Sequence, residues 1–235
     1  MNFLLDSGAG VSVVNLRTAK RLGVKLGERV TVRGVGNISE GFWPQKLTAT
    51  VAGYQLPKEY LAVDLAELSR ACDCCVDGLV GADFFRRGVV QVDFNKRRIR
   101  LLSSSQVSNE DSVVKLRVRR GALLASVRVD DGKAQWMRLD TGCASALQCV
   151  TNGRRLEGHP TEMSVALTEL AVPSTTVNLQ LGSQTFTSLP AGLHDRPIFF
   201  GESGLLGAGL LTLFERVTID TKGGKLILGA RRAGF

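Results

Sequence analysis

Apolar and polar residues alternate in many segments of this chain with a period of two, which is the period of a half-buried strand. Turn-forming residues, among them Gly34, Asp131-Gly132 and Gly223-Gly224, separate the alternating segments. The pattern therefore predicts a mostly-β protein. The clearest alternating segments are 30–33, 47–51, 114–118, 125–129, 177–181 and 225–228.

Helical patterns are sparse by comparison. The clearest one covers residues 16–22, where Asn15 can act as the N-cap and Gly23 can end the helix. We also expect a short helical turn after Gly81 and a matching one after Gly207.

One arrangement of motifs occurs twice along the chain. An apolar run ends in Asp, a small hydroxyl residue and Gly; a Gly-apolar-apolar-Gly segment follows downstream, and then a strand-like segment with one Asp. Equivalent positions in the two copies are 134, 126 and 127 residues apart, so the chain reads as one unit present twice. The paired segments are 4–9 and 138–143, 78–85 and 204–211, and 90–94 and 217–221.

The boundary between the two units is expected at residues 103–112, which are polar and lack periodicity. This predicts an N-terminal lobe over 1–102, a linker over 103–112 and a C-terminal lobe over 113–235. The second unit has a strand pattern over 113–139 before its Asp140, whereas only five residues precede Asp6. The first lobe is therefore expected to lack the opening strands of its sibling.

Composition narrows the function classes. The chain has 235 residues and a net charge of +8, but its basic residues are scattered in pairs and aromatic residues make up only 6%. This favours a solvated basic surface over a nucleic-acid site, so no nucleic-acid partner is expected. No run of 18 apolar residues is present, so no membrane span is predicted in this chain.

The five cysteines raise the question of a metal. Cys72, Cys74 and Cys75 are clustered, but their spacing is not that of a zinc knuckle or ribbon, and both histidines lie far away in the other unit. We therefore predict no metal and no cofactor. The sequence leaves open whether any cysteines form a disulfide.

The paired Asp motifs and the downstream Gly segments together resemble the aspartic peptidases, and the unit length of about 100 residues resembles the retropepsin-like lobe more than the longer pepsin lobe. The resemblance covers almost the whole chain. It implies an all-β, bilobal acid-protease fold: two retropepsin-like β lobes with short helices in a single chain, as in pepsin-like enzymes, and an active-site cleft between them.

The resemblance also implies roles for individual residues. Asp6 and Asp140 would be the catalytic dyad. The residues that support the two active loops would be Ser7, Gly8, Thr141 and Gly142. Gly81 and Gly207 would lie in the ψ-loop segments that pass behind the active loops, where glycine permits close backbone approach.

A flap over the substrate is implied as well. Gly34, Val35 and Gly36 lie between two strand patterns in the first lobe, and Trp43 is close enough in sequence to line the same cleft. The tip would be a hairpin turn.

The chemistry explains why two carboxyl groups are needed. One group deprotonates a water molecule while the other protonates the carbonyl oxygen of the peptide bond. Two adjacent carboxyl groups repel each other when both are ionised, so they share one proton and titrate in two steps. The expected activity is that of an aspartic-type endopeptidase, a hydrolase acting on a peptide or protein substrate.

Some positions depart from the family pattern. Many retropepsins have Asp, and many pepsins Ser, two residues after the motif glycine, where this chain has Gly10 and Ala144. An Arg often follows the apolar-apolar-Gly segment, where this chain has Ala82 and Ala208. These changes bear on binding of the substrate backbone more than on catalysis.

Other interpretations remain open. The chain can be a non-catalytic peptide-binding module with a peptidase-like fold, or a lobe of a larger assembly that receives a strand from an upstream segment or a partner. A monomer is expected if an upstream segment supplies that strand. A serine hydrolase built on Ser145 lacks the Gly-x-Ser-x-Gly turn. The compartment is undetermined, although simple bacterial relatives would favour the cell envelope or secretion.

Overall fold

The computed structural model describes residues 1–34, 38–51, 53–55, 60–151, 161–165 and 169–232. For residues 54, 161–165 and 169–170 it describes the backbone alone. Val35 and Gly36 of the expected flap tip therefore lie outside the described residues.

The first half of the chain contains ten strands and three short helices in its described residues. Helix α1 begins after Asn15, whose side-chain oxygen accepts a hydrogen bond from the Arg17 amide at 3.1 Å, and it ends before Gly23, which has a φ of +69°. The sequence prediction of this helix is confirmed. The elements are β1 (Phe3–Leu5), β2 (Val13–Asn15), α1 (Leu16–Arg21), β3 (Leu26–Arg33), β4 (Ile38–Pro44), β5 (Thr50–Val51), β6 (Tyr54–Gln55), β7 (Leu61–Val63), α2 (Ala66–Ala71), β8 (Gly78–Val80), α3 (Ala82–Phe85), β9 (Val89–Asp93) and β10 (Arg98–Leu102).

The second half is richer in strands. Its one described helix, α4, begins after Gly207 as α3 begins after Gly81, so both expected helical turns are confirmed. The elements are β11 (Ser112–Arg119), β12 (Ala122–Val129), β13 (Gln135–Asp140), β14 (Leu147–Val150), β15 (Thr161–Val165), β16 (Glu169–Leu181), β17 (Gln184–His194), β18 (Gly204–Gly207), α4 (Ala208–Leu211), β19 (Arg216–Asp220) and β20 (Lys225–Leu228).

The fold is all-β, as the alternating pattern predicts. The strands form a six-stranded sheet in the order β1-β8-β2-β7-β4-β3, a twelve-stranded sheet in the order β10-β9-β19-β20-β11-β12-β13-β18-β14-β17-β16-β15, and the pair β5-β6. The predicted strand over 47–51 is shorter than expected, because only Thr50–Val51 pairs with β6.

The same strand order occurs in both large sheets. In the first, β8 lies between β1, which runs parallel to it, and β2, which runs antiparallel. In the second, β18 lies in the same way between β13 and β14. The series continues through β7, β4 and β3 in one sheet and through β17, β16 and β15 in the other, with matching orientations at every step.

The two series of six strands differ at one edge, the edge formed by β1 in the first series and by β13 in the second. Strand β13 lies between β18 and β12, whereas β1 pairs only with β8 in the part of the chain that the structure describes. Phe3 of β1 is 41% exposed, while its counterpart Met137 is buried. Strands β11 and β12 thus have no described equivalent beside β1.

The largest hydrophobic core contains residues from both halves of the chain, and two smaller clusters lie within the first half. Within the twelve-stranded sheet, β9 from the first half and β19 from the second pair along five residues, and β10 and β20 flank them. Phe84 and Phe85 of α3 and Phe214 after α4 are among the largest buried side chains. None of the described helices is long and apolar enough to cross a membrane.

Candidate active site

Asp6 and Asp140 occupy equivalent positions at the ends of two strands. Asp6 follows β1 directly, and its amide donates a hydrogen bond to the Val80 carbonyl of β8 at 2.9 Å. Asp140 is the last residue of β13 and is paired in register with Gly207 of β18. The parallel β8 and β18 strands therefore fix both positions from behind.

The hydroxyl residues that follow join the two loops. The Ser7 amide donates to Oγ1 of Thr141 at 2.9 Å, and the Thr141 amide donates to Oγ of Ser7 at 3.1 Å. Each hydroxyl group also donates across to the strand before the other motif: Ser7 to the Leu139 carbonyl at 2.8 Å and Thr141 to the Leu5 carbonyl at 2.6 Å. Four reciprocal hydrogen bonds thus hold the loops face to face.

The motif glycines allow the two aspartates to approach. A Cβ atom added at Gly8 would lie within 2.5 Å of all three carboxyl atoms of Asp140, and one added at Gly142 would lie 2.7 Å from the carboxyl carbon of Asp6. Any side chain at either position would displace the opposite carboxyl group. Each carboxyl group therefore packs directly on the backbone of the other loop.

Backbone amides bind both carboxyl groups in the same way. Oδ1 of Asp6 accepts hydrogen bonds from the Gly8 amide at 2.9 Å and the Ala9 amide at 3.0 Å. Oδ1 of Asp140 accepts them from the Gly142 and Cys143 amides, both at 3.0 Å. The two carboxyl groups also interact with each other through a side-chain hydrogen bond.

Burial and proximity shift the titration of this pair. Burial raises the pKa of Asp140 to about 8, helped by the negative charge of Asp6, with which it also shares a hydrogen bond. Burial raises the pKa of Asp6 as well, while the Ala9 amide, the Asp140 side chain, the Gly8 amide and the Arg138 charge oppose that shift. The two groups therefore titrate as a coupled pair in which Asp140 keeps its proton to a higher pH than an ordinary aspartate.

Gly81 and Gly207 lie where little space remains. A Cβ atom at Gly81 would lie 2.5 Å from the Val11 backbone, and one at Gly207 would lie 2.8 Å from the Cys143 carbonyl oxygen. Both glycines therefore let β8 and β18 pass close behind the residues that follow each motif.

A cavity of about 350 Å³ opens beside the two aspartates. Leu4, Val13 and Leu79 line it from the side of the first motif, and Arg138, Gln148 and His194 from the side of the second. Residues 31–34 of the β3 end also line it, which brings Gly34 of the expected flap to the cavity. Trp43 lies in β4, is 37% exposed and is not part of the described cavity wall.

Two buried charged side chains near the motifs, Arg138 and Asp83, are not indicated as site residues by the sequence pattern. Arg138 is buried and forms a two-pronged ion pair with Glu202, at 2.8 and 2.7 Å. Its one signal in the sequence is a charged residue in an otherwise apolar run, where the first copy has Leu4. The second is Asp83, whose Oδ1 accepts a hydrogen bond from the Ser12 hydroxyl at 2.8 Å.

The cysteines are free and fall into two groups. Cys72, Cys74 and Cys75 are exposed, while Cys143 and Cys149 are buried. Burial raises the pKa of both buried thiols to about 12, and Asp140 adds to the effect at Cys143. Among the described residues, no three His, Cys, Asp or Glu side chains are grouped so as to hold a metal ion.

Comparison with known proteins gives a distant structural similarity. No protein-family model matches the chain. No curated protein matches it either. Among solved structures, a retropepsin-like aspartic protease from Rickettsia conorii is similar to this chain, with 19% identical residues and a TM-score of 0.36. The similarity covers 53% of this chain and 95% of the chain of that protease.

Proposed function

We propose that this chain is an aspartic endopeptidase in which Asp6 and Asp140 form the catalytic dyad. The observation that carries the proposal is the reciprocal arrangement of the two motifs: each carboxyl group packs on the glycine of the other loop and is held by two amides of its own. A pair of ordinary turn aspartates has no need of the four bonds that lock Ser7 to Thr141.

The proposed reaction needs only the dyad and water. The ionised carboxylate takes a proton from a water molecule, whose oxygen attacks the carbonyl carbon of the peptide bond. The protonated carboxyl group gives its proton to the carbonyl oxygen, which yields a neutral tetrahedral diol. The carboxyl group that took the water proton then gives it to the amide nitrogen, while the other carboxylate takes a proton from a hydroxyl group of the diol. The C–N bond breaks, the carbonyl of the new carboxylic acid forms, and the dyad again holds a single proton.

The substrate is proposed to lie in the cavity beside the dyad as an extended peptide. Residues 1–102 and 113–235 would be the two retropepsin-like lobes, with 103–112 as the linker, and the cleft would lie between them. The hairpin of β3 and β4 would act as the flap, because the end of β3 at Arg33 and Gly34 borders the cavity. Val35, Gly36 and Trp43 remain parts of this proposal.

The test is cleavage of a peptide library by the purified chain across about pH 3–8, which brackets a shifted carboxyl pair. Asp6→Asn and Asp140→Asn are the inactive variants, because Asn keeps the shape but cannot share a proton. The proposal requires cleavage by the parent and none by either variant. Tight binding of an extended peptide without cleavage at any pH would instead establish the peptide-binding module.

A further inference from the structure

Arg138 connects the strand that carries Asp140 to the loop that carries Asp6. One end nitrogen of its guanidinium group donates to the Gly8 carbonyl at 2.8 Å. The other two nitrogens bind both oxygens of Glu202. The guanidinium group also lies 3.6 Å from the ring centre of Phe199, so it is held on three sides.

The contact reaches Asp6 through a single peptide group. The Gly8 carbonyl that accepts from Arg138 belongs to the same peptide unit as the Ala9 amide, which donates to Oδ1 of Asp6 at 3.0 Å. A positively charged donor at the carbonyl oxygen polarises the peptide group. This polarisation strengthens the hydrogen bond that the amide of the same peptide group donates. The guanidinium charge therefore favours a negative charge on Asp6.

Among the described residues, the loop that carries Asp140 has no matching arrangement, because β1 contains no arginine. Leu4 occupies the position in β1 that Arg138 occupies in β13, and a leucine side chain cannot donate a hydrogen bond to the Gly142 carbonyl. The amides around the two carboxyl groups are otherwise alike. In the part of the chain that the structure describes, Arg138 is thus a charged side chain that contacts one active loop and has no counterpart at the other.

We propose that Arg138, fixed by Glu202, is a positioning residue that acts through the Gly8–Ala9 peptide to keep the negative charge of the dyad on Asp6 and the shared proton on Asp140. If the dyad is catalytic, Asp6 starts the reaction as the base and Asp140 as the acid. This assignment of roles rests on the proposed function. The charge asymmetry itself does not require activity.

The other ionisable groups around the dyad do not supply this asymmetry. Cys143 is a buried thiol whose raised pKa keeps it neutral. Burial lowers the pKa of His194, which favours its neutral form, and its ring forms a hydrogen bond with Gln148 at 2.7 Å. Arg33 lines the cavity but is exposed, so solvent screens its charge. Glu202 is the counter-ion of Arg138, and the guanidinium group stands between it and Gly8.

The test follows the two carboxyl groups directly, by NMR titration of the full chain with ¹³C-labelled aspartate side chains. Asp6→Asn and Asp140→Asn assign the two signals. The variant Arg138→Met/Glu202→Leu replaces the buried pair with apolar side chains, which avoids leaving one charge unpaired. Arg216→Met/Asp111→Asn is the matched control, because that ion pair has a similar distance of 2.8 Å and neither of its residues lines the cavity.

In the parent we expect Asp6 to ionise first and Asp140 to keep its proton. In the Arg138→Met/Glu202→Leu variant the Asp6 step should move upward by about 1 pH unit, because the cation that is lost lies nearer to the Asp6 loop than the Glu202 anion lost with it. The two signals should also become more alike between the steps. A merely structural role for Arg138 would lower stability and leave both titrations unchanged, and that result would overturn the proposal.

A second variant keeps the test decisive if the first does not fold. Arg138→Lys retains the charge, but a lysine cannot bind both Glu202 oxygens and the Gly8 carbonyl in the geometry of a guanidinium group. A smaller upward shift of the Asp6 step supports the proposal, and an unchanged titration refutes it. The titration does not depend on cleavage. If the parent titrates as expected but cuts no peptide in the library assay, the proposed function is contradicted and the charge asymmetry of the dyad still stands.

Discussion

The raised pKa of Asp140 makes a specific prediction about stability. A folded-state pKa of about 8, against 3.8 for the free side chain, means that the folded protein keeps a proton that the unfolded chain has lost. Stability must then fall as the pH rises between these two values, by about 1.4 kcal/mol per pH unit. The loss is complete once the pH exceeds the folded-state pKa.

Asp140→Asn removes this dependence. An asparagine is neutral at every pH, and its side-chain oxygen can still accept the Gly142 and Cys143 amides. The variant should therefore lose little stability at pH 5 and should be more stable than the parent at pH 8. Subtracting the two curves cancels the contribution of groups such as His194, which the substitution leaves in place.

The assay is urea denaturation of both proteins at several pH values from 5 to 8, with the slope of the unfolding free energy as the result. Asp77→Asn is the control, because hydrogen bonds from Thr18, Asn2 and Arg21 lower the pKa of Asp77. Its stabilising effect is lost only as the pH falls below the ordinary Asp range, so its curve should run parallel to that of the parent. Equal slopes for the parent and Asp140→Asn would show that Asp140 does not keep a proton in the folded protein at these pH values.

Three further predictions concern the loops and the thiols. Thr141→Ala leaves the Ser7 amide and the Leu5 carbonyl without their partner and should cost about 2–3 kcal/mol in urea denaturation, most of which Thr141→Ser should restore. Gly8→Ala should abolish peptide cleavage because its methyl group would overlap the Asp140 carboxyl group, whereas Gly10→Ala, with nothing within 4 Å, should retain activity. Iodoacetamide should modify the three exposed cysteines of the native protein rapidly and the two buried ones only after unfolding, as counted by mass spectrometry.

The sequence predicts much of this fold because the relevant signals are local. Alternation identifies strands, and Asn15 and Gly23 mark the ends of α1 through cap geometry that depends on a few neighbouring residues. The duplicated motifs also point to Asp6 and Asp140, since two copies of a short pattern in the same order are far more specific than one.

The remaining features depend on residues that are distant in sequence. The partner of Arg138 is Glu202, 64 positions away, and its second contact is the Gly8 carbonyl, 130 positions away. No periodicity links these residues, so a charged residue in an apolar run is the most that the sequence shows. The Ser12–Asp83 contact spans 71 positions and is hidden for the same reason.

The most direct test of the central claim is the pH dependence of kcat/KM for the best peptide found in the library. A dyad that works with one shared proton should give a bell-shaped profile. Its lower limb is set by ionisation of Asp6, and its upper limb, near pH 8, is set by loss of the Asp140 proton. Asp6→Asn and Asp140→Asn should each abolish the activity. Cleavage that survives either substitution, or a profile without two limbs, would contradict a dyad that works with one shared proton.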